Sequence, residues 1–151
     1  TTAVVNLTAT DAAGAEPGTN TIAFALTRTG KLTTQITVAL GWTGTATYGK
    51  DYKVTVIGGT LNAKGTAVTL DAGAVTATVI VTPLDDTGAE PAETAILTLK
   101  SGTGYTLGSA SRATGTISDN DGAAATSTTL TALSSPTGTT SSATTKPSYR
   151  R

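Results

Sequence analysis

Cysteine and histidine are both missing from the 151-residue chain. Without cysteine the protein can form no disulfide bridge and carry out no thiol chemistry. The absence of both residue types also argues against zinc and copper, because these metals favour thiolate and imidazole ligands. The usual nucleophile–base pairs of covalent catalysis cannot be built from the remaining side chains, so we expect a protein that is not an enzyme.

Charged residues are scarce as well, at 13% of the chain, and ten acidic residues balance ten basic ones. The chain lacks the basic stripe of a nucleic-acid-binding protein. No apolar run approaches the ~18 residues that a membrane-spanning helix needs. We therefore expect neither a nucleic-acid partner nor a membrane span.

Threonine, by contrast, makes up about a quarter of the chain. Its branched Cβ suits the pleated surface of a β-sheet. Low charge with abundant Thr, Gly and Ala is common in bacterial and archaeal surface proteins. The chain also starts at Thr1 with no signal-like apolar segment, which suits a processed secreted protein or a piece of a longer one. These features predict an extracellular or cell-surface location.

Apolar and polar residues alternate along most of the chain, which is the pattern of strands with one buried face. The alternation runs through seven stretches, at residues 20–29, 33–43, 53–57, 66–70, 74–82, 94–100 and 112–118. Gly-rich turns separate the stretches, and none of them has a helical period. Seven or so short strands predict an all-β fold, an antiparallel immunoglobulin-like β-sandwich, for residues 1–122.

Most acidic residues lie next to the predicted strand ends. Eight of the ten do so, namely Glu16, Asp51, Asp85, Asp86, Glu90, Glu93, Asp119 and Asp121. Strands that alternate in direction bring all eight to one pole of the sandwich, provided that residues 53–70 act as one outgoing stretch. A hairpin between 53–57 and 66–70 would reverse the parity and split the cluster.

Five segments, in their order and spacing, resemble the Calx-β domain of sodium–calcium exchangers, integrin β4 and many bacterial surface proteins. They are "AEPG" at 15–18, "TATYGKDY" at 45–52, "LDAGAVTATVIVTPLDDTGAEPAET" at 70–94, "LTL" at 97–99 and "GTISDND" at 115–121. The resemblance covers residues 3–122, with 58–65 as an apparent insertion. It implies a sandwich that binds Ca²⁺ at one tip. The ligands it implies are Glu16, Asp51, Asp85, Asp86, Glu90, Glu93, Asp119 and Asp121, with Asn120 offering its carbonyl.

The physical chemistry of the acidic residues agrees with this implication. Ca²⁺ takes six to eight oxygen ligands in a flexible geometry. Two carboxylates ~4 Å apart repel each other by roughly 1 kcal/mol in water, and by more in a partly dry site. Eight carboxylates at one pole would fray the loops unless a cation neutralised them, although single acidic residues in loops usually serve only solubility. The crowding therefore favours a calcium site.

Three other features carry weaker alternatives. Glu90 and Glu93 have the composition of a glycosidase acid pair, but they share one loop and no aromatic platform accompanies them. Trp42 and Tyr52 are interpreted as packing residues, with sugar stacking as the alternative. Asn6 begins the glycosylation sequon Asn-Leu-Thr, so a glycan there is a further expectation.

The tail at residues 123–151 is rich in Ser and Thr and low in complexity, which is typical of a linker. Residues Thr126 to Leu133, "TSTTLTAL", also have the composition of a β-strand that could add to the sheet edge of a neighbouring subunit. We therefore expect a non-enzymatic, calcium-binding structural module of an extracellular filament, matrix or adhesin that self-associates through this segment. The alternatives are a calcium-sensing module of a larger protein, with the tail as linker, and a carbohydrate-binding adhesin module.

Overall fold

The structure is a computed structural model that describes residues 1–122, so the predicted tail and its strand at 126–133 lie outside the described residues. The described part forms two β-sheets of eleven strands: β1 (Ala3–Asp11), β2 (Ala13–Ala15), β3 (Ile22–Thr29), β4 (Ile36–Thr43), β5 (Tyr52–Ile57), β6 (Thr60–Leu61), β7 (Ala67–Leu70), β8 (Thr76–Pro83), β9 (Glu93–Lys100), β10 (Tyr105–Leu107) and β11 (Arg112–Ser118). None of these residues belongs to a helix that is long and apolar enough to cross a membrane.

The five-stranded sheet has the order β10-β1-β3-β8-β5, and the six-stranded sheet has the order β2-β11-β9-β4-β7-β6. Neighbouring strands are antiparallel, except that β10 runs parallel to β1 and β2 runs parallel to β11. The predicted all-β sandwich is confirmed. The predicted number of strands was too low, because β1 was not counted. In addition, β2, β6 and β10 have only two or three residues each, too few to display an alternation.

The alternation buries one face of each long strand. Ile22, Phe24 and Leu26 of β3 are fully buried, and the residues between them are half-buried. Val38 of β4 and Leu97 of β9 reach the same core from the other sheet. Full burial of such a side chain stabilises the fold by about 1.5–3 kcal/mol. The core therefore holds the two sheets together and fixes where the loops at each end begin.

Aromatic rings close the core below the loop between β4 and β5. The ring centroids of Trp42, Tyr48 and Tyr52 lie 5.5 to 5.7 Å apart. Tyr52 is fully buried, and the indole Nε1 of Trp42 donates a hydrogen bond to the carbonyl of Gly65 over 2.9 Å. Rings at this spacing contribute packing energy beyond their buried area. The cluster gives the β4–β5 loop a rigid base.

The strand directions still bring the acidic residues to one pole, although the path of the chain between β5 and β7 differs from the one expected. The stretch 53–70 is not one outgoing strand, since β5 pairs with β8 in one sheet and β7 pairs with β4 in the other. Both strands run away from the same pole, because the short strand β6 returns between them and pairs with β7. The hairpin between β5 and β7 that would have split the cluster does not form.

The opposite pole holds a buried arginine. Arg28, near the end of β3, is 2% exposed. Its guanidinium donates hydrogen bonds to the carbonyls of Lys31, Asp71 and Thr34, the first two over 3.1 Å each. These bonds tie the β3–β4 loop to the turn between β7 and β8. We call this end of the sandwich the arginine pole.

Candidate metal centre

The predicted ligands come together from four loops and strand ends at the other pole, which we call the acidic pole. Glu16 follows β2, Asp51 precedes β5, Glu93 begins β9, and the loop between β8 and β9 carries three more acidic residues. Asp119 and Asp121 follow β11. The sandwich brings these segments together because each one begins or ends a strand at the same end of a sheet.

Three carboxylates of this pole form what we call the Glu16 group, made of Glu16, Asp119 and Asp121. One oxygen from each lies within 4.8 Å of the others. Glu16 is 9% exposed, and Glu16 Oε2, Asp119 Oδ1 and Asp121 Oδ2 are buried without a hydrogen-bond partner among the described residues. The backbone N–H of Glu90 donates to the other oxygen of Asp119, Oδ2, over 3.1 Å. The group therefore holds three buried acceptors that the described residues leave unsatisfied.

The electrostatics of the Glu16 group disfavour its charged form. Burial raises the pKa of Glu16, and the nearby charges of Asp86, Asp119 and Asp121 raise it further, against a hydrogen bond from the backbone of Asp86. Loss of solvation and the charges of Asp119, Asp85 and Asp86 likewise raise the pKa of Asp121. A carboxylate that repels its neighbours gains more from a bound cation than an isolated one does.

Asp51, Glu90 and Glu93 form a second set, which we call the Asp51 group, and their oxygens also lie within 4.8 Å of one another. Asp51 Oδ2 accepts the backbone N–H of Thr47 over 2.6 Å, and Asp51 Oδ1 accepts Lys50 Nζ over 2.8 Å. Burial alone would raise the pKa of Asp51, but the bonds from Lys50 and Thr47 outweigh it and the pKa is lowered.

Glu93 of the same group shows the opposite behaviour. Burial raises its pKa, and the charges of Asp51 and Glu90 raise it further, although Lys50 counteracts them. Lys50 was not among the predicted site residues. Its position directly before Asp51 was the available signal, but a side chain one position away in a loop can point in any direction.

Three predicted ligands lie beside the two groups and belong to neither. Asp86 is linked to both, because its charge raises the pKa of Glu16 and of Glu93. Its Oδ1 accepts the backbone N–H of Gly88 over 2.7 Å. Asp85 Oδ1 accepts the side-chain Nδ2 of Asn120 over 3.1 Å. The structure thus collects the predicted residues at one pole and divides six of them into two sets. Their role as metal ligands stays a prediction.

The other residues noted in the sequence lie elsewhere. Tyr52 is fully buried, as a packing residue should be, whereas Trp42 and Tyr48 are half-buried and line a cavity of about 520 Å³. Neither Glu90 nor Glu93 lines this cavity, so the aromatic side chains do not serve a glycosidase pair there. Asn6 lies in β1, where its Oδ1 accepts the backbone N–H of Ala110 over 3.1 Å. A glycan at Asn6 stays a prediction.

Comparison with known proteins gives structural matches only. No family model matches the chain, and no curated protein matches it either. Among solved structures, the chain is similar to the apo-form Calx CBD1 domain, with 18% identity and a TM-score of 0.56 over 80% of this chain and 100% of that one. It is also similar to CBD12 from CALX1.2 and to the calcium binding domain CBD12 of CALX1.1, each with 19% identity and a TM-score of 0.54.

These two matches cover 77% of this chain and 44% and 45% of the CBD12 chains, so the chain spans less than half of their length. The chain has the fold of the Calx CBD domains. The predicted resemblance is therefore confirmed for the fold.

Proposed function

We propose that this chain is a non-enzymatic β-sandwich module that binds Ca²⁺ at its acidic pole. The observation that carries the proposal is the set of three buried oxygens without hydrogen-bond partners, Glu16 Oε2, Asp119 Oδ1 and Asp121 Oδ2. A buried acceptor without a partner costs about 1–3 kcal/mol, and more when it is charged. A cation that touches all three would remove this cost and the mutual repulsion together.

The donor set fits calcium. Every donor is a hard oxygen, which suits Ca²⁺ and Mg²⁺ and suits soft metals poorly. Two oxygens bound to one Ca²⁺ can be up to roughly 5 Å apart, since each lies 2.3–2.6 Å from the ion, whereas Mg²⁺ limits this separation to roughly 4 Å. The oxygens of the Glu16 group lie within 4.8 Å of one another and therefore need little movement to hold Ca²⁺. The charge of Asp86 acts on a carboxylate of each group and adds to the attraction for a cation.

Calcium titration calorimetry on the protein and two variants tests this function. The Asp119→Asn substitution keeps the shape of the side chain and removes a charge from the Glu16 group. Asp71→Asn is the matched control, because Asp71 lies at the arginine pole, where its Oδ1 accepts the side chain of Gln35. We expect saturable binding in the native protein and in Asp71→Asn, and at least about tenfold weaker binding in Asp119→Asn. A native protein that takes up no Ca²⁺ at millimolar concentration refutes the function.

The setting we propose for this module is an extracellular filament, matrix or adhesin in which residues Thr126 to Leu133 add as a strand to a neighbouring subunit. Two features support it. The segment alternates apolar Leu130 and Ala132 with Thr. Within residues 1–122, strand β5 is an edge strand whose ladder is formed with β8, and it ends in Ile57, which is 64% exposed. A free strand edge with an exposed apolar residue is a site at which another strand can add.

Sedimentation of the full chain, a truncation after Gly122 and two point variants tests this contact. Ile57→Lys places a charge on the β5 edge, and Val75→Lys is the matched control, since Val75 is 50% exposed but lies in the turn before β8. We expect the full chain and Val75→Lys to assemble at high concentration, and the truncation and Ile57→Lys to stay monomeric. If the full chain and the truncation have equal masses, the tail acts as a linker. This result would favour the alternative of a calcium-sensing module of a larger protein.

A further inference from the structure

Lys50 distinguishes the two halves of the acidic pole. Its ammonium lies 2.8 Å from Asp51 Oδ1, and this is the single ion pair found within residues 1–122. The side chain of Asp51 is 8% exposed, whereas that of Lys50 is 67% exposed. The hydrogen bond to Asp51 and the charge of Asp51 raise the pKa of Lys50, and the charges of Glu90 and Asp86 add to this effect. The ammonium therefore faces the Asp51 group from its solvent side.

The Glu16 group differs from the Asp51 group in its hydrogen bonding. All of its three residues contribute a buried oxygen without a partner, while no oxygen of Asp51, Glu90 or Glu93 is in this state within the described part of the chain. Both groups hold three carboxylates whose oxygens lie within 4.8 Å of one another. Among the described residues, the Asp51 group thus has a positively charged partner, Lys50, and the Glu16 group has none.

We propose that the Lys50 ammonium is a built-in counter-cation that competes with a divalent cation for the Asp51 group, so that the acidic pole takes up Ca²⁺ in two unequal steps. This inference rests on the proposed function. The first and tighter step fills the Glu16 group, which has no ammonium partner within residues 1–122. The second step fills the Asp51 group and requires Lys50 to leave.

The geometry makes this exchange feasible. An ammonium is a strongly hydrated point charge on a flexible stem, so an exposed lysine can turn into water without disturbing the backbone. A divalent ion can contact all three carboxylates of the group at once, whereas Lys50 makes its hydrogen bond to Asp51 alone. The calcium concentration needed for the second step is therefore set by a side chain that coordinates no ion.

The test is calcium titration calorimetry on the full chain, on Lys50→Gln and on Lys53→Gln. Lys53 is the matched control because it is an exposed lysine on β5, three positions away, with no ion pair of its own within residues 1–122. We expect a tight and a weak class of sites in the native protein. Lys50→Gln should strengthen the weak class by about tenfold, as expected when an opposing charge is removed, and leave the tight class nearly unchanged. Lys53→Gln should change neither class selectively.

Two outcomes of this titration overturn the inference while the proposed function stands. In the first, Lys50→Gln binds Ca²⁺ at both classes of sites with the same affinities as the native protein. The other is an equal shift of both classes, matched by Lys53→Gln, which would reflect net charge alone. A native protein that binds no Ca²⁺ removes the proposed function and the inference with it.

The ammonium resonance of Lys50 gives an independent readout. In a ¹⁵N-labelled full chain titrated with CaCl₂, the Lys50 Nζ signal should stay in place while the tight class fills and should move to the position of a free lysine as the weak class fills. Lys53 serves as the internal reference throughout. A Lys50 signal that already coincides with that of Lys53 in EDTA, or that moves with the first step, contradicts the exchange.

Discussion

At the arginine pole of the sandwich the buried charge belongs to one side chain, and at the acidic pole it belongs to several carboxylates. Arg28 is only 2% exposed, and three backbone carbonyls accept its hydrogen bonds. At the acidic pole, Glu16, Asp119 and Asp121 each keep a buried oxygen without a partner among the described residues. The backbone thus completes one end of the sandwich, and under the proposed function a bound ion completes the other.

This difference divides the stability of the sandwich into two parts. A buried charge that donates hydrogen bonds to backbone carbonyls stabilises the loops that carry them, and this stabilisation does not depend on a bound ion. Buried like charges destabilise their loops until a counter-ion binds, so their contribution follows the calcium concentration. The arginine pole should therefore be indifferent to calcium, and the acidic pole should depend on it.

The largest expected effect comes from removing the arginine. Arg28→Met keeps much of the apolar stem but leaves three backbone carbonyls without the donor that ties their loops together. We expect the free energy of unfolding to fall by about 3 kcal/mol, equally in Ca²⁺ and in EDTA. Urea unfolding measures this loss, and Arg112→Met is the control because Arg112 is exposed. A loss that differs between Ca²⁺ and EDTA would mean that the two poles are coupled.

Calcium itself should have the next largest effect. An ion that binds only the folded state at 100 times its dissociation constant raises the free energy of unfolding by about 2.7 kcal/mol per site. We expect a corresponding rise in melting temperature between EDTA and Ca²⁺. Asp119→Ala and Asp85→Ala should each remove most of this rise, and Arg28→Met should keep it. Melting curves that coincide across millimolar Ca²⁺ and EDTA exclude the calcium site.

A smaller effect of opposite sign is expected from neutralising Glu16. Glu16→Gln removes one negative charge from the repelling group, so the calcium-free protein should become more stable by about 1 kcal/mol. The same substitution removes a ligand, so the stabilisation by Ca²⁺ should largely disappear. Unfolding in EDTA and in Ca²⁺ separates the two effects. A variant that is less stable than the native protein in EDTA would mean that Glu16 is a structural acceptor and not a source of repulsion.

The smallest effect concerns pH in the calcium-free protein. The pKa values of Glu16 and Glu93 are raised above 4.5, so the folded state holds these protons more tightly than the unfolded state does. Their favourable contribution to the free energy of unfolding is complete below pH 4.5 and is lost as the pH rises through the folded-state pKa values. Asp51 has the opposite effect on stability. Because its pKa is lowered, its contribution to the free energy of unfolding is lost only as the pH falls below 3.8.

Stability in EDTA should therefore decline as the pH rises from 4.5 toward neutrality, and saturating Ca²⁺ should cancel or reverse this decline. Urea unfolding at several pH values provides the measurement. A stability in EDTA that increases over this range would be inconsistent with repulsion at the acidic pole.

Much of the fold could be predicted from the sequence, because burial on one face of a strand leaves a period of two. The predicted stretch 112–118 coincides with β11, and the stretch 94–100 misses only the first residue of β9. Strand β1 has the same signal in Val5 and Leu7, and the prediction did not use it. The strands β2, β6 and β10 could not be predicted, since they exist through pairing with neighbours and not through a pattern of their own.

The site was predictable only in part. Strand parity is a property of the chain order, so the acidic residues could be assigned to one pole. The division into a Glu16 group and an Asp51 group depends on loop conformations that no local pattern specifies. The same holds for Lys50, whose ammonium turns back toward Asp51. Arg28 continues the buried face of β3, but the carbonyls of Thr34 and Asp71 that accept its hydrogen bonds lie in two loops whose conformation the pattern does not specify.

The most direct test of the contrast between the poles is a calcium titration followed by ¹H–¹⁵N spectra of the native protein. The amides of Thr47 and Glu90 donate to carboxylates of the acidic pole, and the amide of Gly73 donates to the carbonyl of Leu32 near the arginine pole. We predict saturable shifts for Thr47 and Glu90 and an unmoved signal for Gly73. Unmoved signals for Thr47 and Glu90, or an equal shift of Gly73, would contradict a calcium site confined to the acidic pole.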